Sequence, residues 1–199
     1  MSRRASVSTR RLRRRLTWPA LLLVLVVLLV LDRRGWLLVR SADDLAAYHG
    51  REAMVTHVVD GDTIDVALPD ALAGHDVTRV RLWGIDCPEL AHFGKSEEPL
   101  AREATRLTES VVGNHRVRLF LEAHEPRDSF GRVLAHVELI DDGRSLNEAL
   151  LDAGLAKADD HWPHSRLTRY AQVQLSAQRR GVGIWAKDKG AIQSQPASR

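Results

Sequence analysis

RLWGIDCPE, residues 81–89, strings an arginine, an aspartate and a glutamate along the end of a strand and the turn after it. Alternation sets Val80 and Leu82 on one face and Arg79, Arg81 and Trp83 on the other. Arg81 is therefore expected to point away from the residues that fill the core. Gly84 loosens the strand, and Pro88 forces Cys87 out of helical geometry and ends regular pairing. Asp86 and Glu89 are then expected on a turn, close to each other and near Arg81. A cation and two carboxylates are what metal-assisted attack on a phosphodiester requires: charge for the phosphate, oxygen ligands for a hard metal and a base for water. Nine residues alone also fit an ordinary strand end with surface charges.

Outward from that stretch, 199 residues hold one well-buried domain plus extensions, and 28% charged with 44% hydrophobic residues is ordinary for a globular chain. The formal charge of +3 is unevenly placed. Residues 1–40 hold ten arginines and one aspartate, which leaves residues 41–199 with a balance of −6. A polyanion site must then be a local patch on an acidic domain, with weak long-range steering. Cys87 is the only cysteine, which excludes an internal disulfide and a cysteine-based zinc site.

Seven arginines lie within the first 15 residues, ahead of an apolar run from Trp18 to Leu31. This reads as a membrane segment over residues 16–39, with the arginines cytoplasmic and the remainder outside by the positive-inside rule. Asp32, Arg33 and Arg34 stand where a signal peptide places small residues, so an uncleaved single-pass anchor is favoured over a cleaved signal and a secreted product. Residues 41–52 read as a linker.

From Met54 the pattern is β. Met54–Val59 and Thr63–Leu68 flank the tight turn Asp60-Gly61-Asp62, followed by a loop from Pro69 to Asp76 and a strand from Val77 to Ile85. At Ser96 the period becomes helical, with Ser96 as cap and Leu100, Ala104, Leu107 and Val111 on one stripe. Strands at His115–Leu121 and Arg132–Leu139 follow, then a short helix with a Ser145/Glu148 capping box. A last helix from about Ser165 to Arg180 carries Leu167, Ala171 and Leu175 inward. The expected fold is mainly β with helices: a five-stranded Greek-key barrel of the OB type, packed by three helices, over residues 53–186. Residues 187–199 read as a disordered tail.

Three stretches together resemble the thermonuclease family, of which staphylococcal nuclease is the familiar member: VVDGDTIDV at 58–66, RLWGIDCPE at 81–89 and DSFGR at 128–132. LNEALLDAGLAK at 146–157 and GIW at 183–185 are also similar. The resemblance implies an OB barrel with three helices and calcium-dependent hydrolysis of DNA and RNA that leaves 3′-phosphates. By motif, Asp62 and Asp86 resemble the metal carboxylates, and the backbone carbonyl of Cys87 resembles the third protein ligand of a hard cation, Ca²⁺. Glu89 resembles the residue that orients or deprotonates the attacking water. Arg81 and Arg132 resemble the guanidinium pair that holds the phosphate. Phe130 corresponds to an aromatic that lies beside the nucleotide base.

Three positions depart from the family pattern. Cys87 stands for a threonine, Ser129 for a basic residue, and the stretch KADDHWPH from Lys157 lacks the tyrosines of the nucleotide pocket, with Asp159 and Asp160 in their neighbourhood and Trp162 as an aromatic substitute. His92, His161 and His164 read as solvated loop residues. An OB barrel that binds nucleic acid without cutting it is the competing reading. The presence of Arg81, Glu89, Arg132, Asp62 and Asp86 together favours the enzyme.

Overall fold

The computed structural model describes residue 18 and residues 21–27, 39–91, 94–113 and 115–186. The chain divides into two units, residues 1–43 and 44–199. In the first, Trp18 and residues 21–27 are helical with exposed side chains. Most of the expected membrane segment at 16–39 lies outside the described residues, and among the described residues no helix is long and apolar enough to cross a membrane. The expected tail at 187–199 and His92 also lie outside them.

Residues 39–52, expected in large part as a linker, instead form helix α1 (Val39–Tyr48) and lead into strand β1 (Glu52–Val58). The polar composition concealed an anchoring role. Tyr48 is buried and donates its hydroxyl to the Pro69 carbonyl at 3.1 Å, while Leu45 packs on the core.

Strands β1, β2 (Thr63–Val66), β3 (Thr78–Leu82), β5 (Arg116–Phe120) and β6 (Val133–Leu139) close into a barrel in the order β1-β2-β3-β6-β5. All barrel pairs are antiparallel except β3 with β6, which run parallel with Arg81 opposite Leu134. Ile64, Val66, Val80, Leu82, Val117, Leu119, Val133 and Val137 fill its interior. Each such side chain contributes about 1.5–3 kcal/mol on burial. This is the five-stranded barrel that the alternation predicts.

Helices α2 (Ala101–Val112), α3 (Leu146–Asp152) and α4 (Leu167–Arg180) pack outside the barrel. The Ser145 hydroxyl accepts from the Glu148 N–H as the capping box requires. Ser96 does not cap α2; Leu100 holds that place in a left-handed conformation, and Pro99 before it explains why the helix begins late. On α4 the buried stripe is Tyr170, Val173 and Ala177, and Leu175 is exposed. A tyrosine, weak in an apolar count, decides the face because its hydroxyl has a partner inside.

That partner is His136 on β6, fully buried, with Nδ1 2.8 Å from the Tyr170 hydroxyl and Nε2 3.3 Å from Glu122 Oε1. His164 is not solvated as expected: its ring centroid lies 5.3 Å from that of His136 and 5.4 Å from that of Tyr170. Burial, with Arg166 nearby, pushes the His136 imidazole down to about 4, against the pull of Glu122. His164 is lowered in the same direction, again first by burial. The unfolded chain takes up a proton near 6.5, whereas folded His136 resists it until about 4, so stability declines as pH falls through that window. The urea unfolding midpoint should therefore drop between about pH 7 and about pH 4.5, and His136→Gln should flatten part of that slope. An identical slope in the variant would show that His136 does not carry the acid sensitivity.

Candidate active site

The site is built where β2 ends one turn and β3 begins another. The Asp60 carboxylate accepts the Asp62 N–H at 3.0 Å, closing the Asp60-Gly61-Asp62 turn. Gly61 is required by packing: a Cβ there would stand 2.7 Å from that of Ala104 on α2 and 2.9 Å from that of Cys87. Thr108 on α2 donates to the Gly61 carbonyl at 2.6 Å, so the helix fixes the turn from behind. Asp62 is thereby held almost wholly buried, accepting the Cys87 N–H at 2.7 Å.

Across the barrel end, β3 reverses at Gly84, whose positive φ of 74° leads into the short strand β4 (Ile85–Asp86). The reversal turns the carbonyls of Leu82 and Ile85 toward Arg81, whose Nη1 donates to both, at 3.3 and 3.0 Å. The same Nη1 lies 2.8 Å from Asp62 Oδ2, and Nη2 lies 2.8 Å from Asp86 Oδ1. One guanidinium therefore spans the two carboxylates, its side chain 16% exposed, between a buried Asp62 and an Asp86 that is 62% exposed. Burial alone would lower the Arg81 pKa, but Asp62, Asp86 and Asp60 raise it. Burial also drives the Asp62 carboxyl above the ordinary carboxylate range, with Arg81 opposing.

Arg132 reaches the same centre from the turn before β6. Asp128 accepts the N–H groups of Phe130 and Arg132, both at 2.9 Å, and the Arg132 Nε–H at 2.7 Å. Arg132 Nη1 lies 3.5 Å from the Thr63 hydroxyl, which donates to Asp62 Oδ1 at 3.3 Å. A continuous chain results: Arg132, Thr63, Asp62, Arg81, Asp86. Phe130 is 84% exposed, with the Arg132 guanidinium 5.5 Å from its ring centroid.

The structure thus brings together Asp62, Asp86, Arg81 and Arg132 and places Phe130 at their edge. Glu89 is exposed on the segment after Asp86, its backbone paired with Glu98, and among the described residues its carboxylate joins no ion pair in this chain. Trp83, expected on the Arg81 face, is buried, because the Gly84 reversal takes its N–H to the Ala135 carbonyl at 2.9 Å. The Cys87 thiol is buried against Gly61, and burial first, then Asp62, pushes its pKa far up, which disfavours the thiolate. Its side chain fills space, as a small hydrophobe would.

Three contributions were not singled out from sequence. Thr63 is the link between Asp62 and Arg132, and its place opposite Arg81 follows from the β2 to β3 register. Asp128 organises the turn, and its signal was its place in DSFGR. The third is the pairing of β4 with β7 (Lys157–Ala158), which sets Lys157 opposite Asp86 and ties the Asp159 N–H to the Gly84 carbonyl at 3.0 Å. Asp159 also holds His161, with Nδ1 2.7 Å from its carboxylate, and their hydrogen bond raises the imidazole pKa.

The donor set fits a hard divalent cation. Asp62 and Asp86 bring two carboxylates to one guanidinium, with Asp60 in the same turn as Asp62, and among the described residues the ion pair of Asp62 is with Arg81. Oxygen donors with excess negative charge suit Ca²⁺ or Mg²⁺ over softer metals.

A closed five-stranded barrel with helices packed outside it defines the class of small OB-type barrels. The pattern of the family "Staphylococcal nuclease homologue" matches residues 79–187, and the chain belongs to that family. It is 35% identical over 139 residues to a protein named thermonuclease from Staphylococcus intermedius, across 69% of this chain and 78% of that one. It is 38% identical over 120 residues to a probable endonuclease lcl3 of Aspergillus flavus, covering 53% of this chain and 42% of that one. With an endonuclease YokF of Bacillus subtilis, described as SPbeta prophage-derived, it shares 29% identity over 139 residues, covering 69% and 45%. The chain thus spans less than half the length of the latter two relatives.

Proposed function

We propose that this protein is a calcium-dependent nuclease that hydrolyses phosphodiester bonds of DNA or RNA and leaves 3′-phosphates. The observation that carries the reading is the single guanidinium of Arg81 spanning Asp62 and Asp86, joined through Thr63 to Arg132. A phosphodiester entering that rim meets two guanidinium groups whose geometry is fixed before it arrives, the arrangement that stabilises developing charge on phosphoryl oxygens. Asp62, Asp86 and the Cys87 carbonyl would hold the ion. Bound there, Ca²⁺ supplies Lewis-acid charge to the phosphate.

Glu89, exposed in the segment that follows Asp86, would take the proton of the attacking water. The water oxygen bonds to phosphorus, the bond from phosphorus to the 5′-oxygen breaks, and that oxygen takes a proton from solvent. Phosphate remains on the 3′-oxygen. Phe130 offers a flat apolar face to a base, a contact indifferent to sequence.

Cleavage of DNA and RNA by the full chain should require Ca²⁺ and stop with a chelator. Arg81→Ala, Arg132→Ala and Glu89→Ala should each lower kcat about 100-fold or more, while Cys87→Ser keeps most activity. Full turnover in any of the first three, or in chelator, overturns the assignment. Loss of cleavage in a folded Cys87→Ser would point to thiol chemistry instead.

We also propose that residues 16–39 hold the protein in the cell membrane, with the N-terminus cytoplasmic and the nuclease domain outside, supported by seven arginines ahead of an apolar run. Protease added to intact cells should digest the domain and spare the N-terminus. Soluble mature protein beginning near Ala42 would mean a cleaved signal.

A further inference from the structure

The turn that carries Arg132 is gripped from its outer side by a charged cluster that the proposed chemistry does not use. Arg127 stands one residue before Asp128, its side chain 12% exposed. Its Nε and Nη2 donate to the two oxygens of Asp44 at 2.8 and 2.9 Å. Nη1 and Nη2 donate to Asp70 at 2.7 and 3.1 Å, and Nη2 also reaches the Tyr48 hydroxyl at 3.2 Å. The remaining contact is from Nη1 to the Gly131 carbonyl at 2.8 Å. Asp44 and Asp70 are each 4% exposed.

Two buried carboxylates fix the plane of this guanidinium, and the plane fixes where the bond to Gly131 points. Gly131 has a positive φ of 85°, its carbonyl accepts from Arg127, and the next residue is Arg132. On the inner side Asp128 holds Arg132 by its N–H and Nε–H. The peptide that presents Arg132 is therefore clamped from both sides. We propose that Arg127 is a positioning residue for Arg132, anchored by Asp44 of α1, so that the helix leading in from the N-terminal segment sets the phosphate-binding guanidinium.

The inference rests on the nuclease reading for its kinetic consequence but not for its geometry. Lysine keeps the charge of Arg127 without the planar fork, so it cannot hold Asp44, Asp70 and Gly131 at once. The test uses the full chain in detergent micelles, comparing wild type with Arg127→Lys, Asp44→Asn, Arg132→Ala and Arg127→Lys combined with Arg132→Ala. Arg127→Lys and Asp44→Asn should melt cooperatively, with kcat lowered about 10-fold and KM little changed, as expected when a charged contact is displaced by a fraction of an ångström. In the Arg132→Ala background, Arg127→Lys should lower kcat no further. A structural role alone would lower kcat by the same factor in both backgrounds, and that result overturns the proposal, as does full kcat in a folded Arg127→Lys. Should Arg127→Lys not fold, Asp44→Asn alone and combined with Arg132→Ala carries the comparison.

The Arg132 Nε–H resonance in heteronuclear NMR reads the clamp without any activity. It should shift and exchange faster in the variants, and an unchanged resonance overturns the proposal. If wild type cuts nothing, the nuclease reading fails, and this resonance alone decides the positioning.

Discussion

A guanidinium held between two carboxylates organises this molecule's working end. Arg81 could not sit 16% exposed in a barrel rim without Asp62 and Asp86, and Asp62 could not be buried without Arg81. Each requirement reaches into the fold. Asp62 is delivered by a turn that needs Gly61 because Ala104 and Cys87 press against it. Arg81 is aimed by a reversal that needs Gly84, where a Cβ would stand 2.5 Å from the His164 ring. Breaking either contact would leave a charge in poor solvent, so barrel, helix α2 and the histidine cluster all constrain one ion triad.

The barrel was legible because its signals are local. Period-two alternation in Ile64 and Val66, in Val80 and Leu82, and in Val133 and Val137 marks the inward faces, and these residues are buried. What was missed is long-range. Nothing near Asp44 in sequence reveals that Arg127 lies 83 positions away, and a polar stretch with a long-range ion pair reads as a linker. Tyr170 likewise turned α4 to a face that an apolar count misses, because His136 waits for its hydroxyl. In the site, residue types and motif order indicated Asp62, Arg81, Asp86 and Arg132. Thr63, which joins the two arginine centres, is chemically ordinary and becomes visible only through register.

The β4 to β7 pairing explains how the altered stretch after Lys157 bears on the rim. It sets Lys157 opposite Asp86 and brings Asp159 to the Gly84 carbonyl. Charge of both signs is thereby set beside Asp86, the Lys157 cation opposite it and the Asp159 carboxylate paired with His161. The exposed Phe130 and Trp162 leave two flat apolar surfaces in the same unit.

Titration calorimetry of Ca²⁺ into the full chain, comparing wild type with Asp86→Asn, tests the central claim most directly. Asp86 is 62% exposed, and in the variant Arg81 keeps Asp62 and the carbonyls of Leu82 and Ile85, so the chain should still unfold cooperatively, at a urea midpoint lowered by the lost ion pair. If Asp62 and Asp86 converge on one cation as they converge on Arg81, Asp86→Asn should weaken Ca²⁺ binding about 10-fold or more. Equal Ca²⁺ affinity in the folded variant and wild type would contradict the account, because the carboxylate across the guanidinium from Asp62 would then have no part in holding the ion.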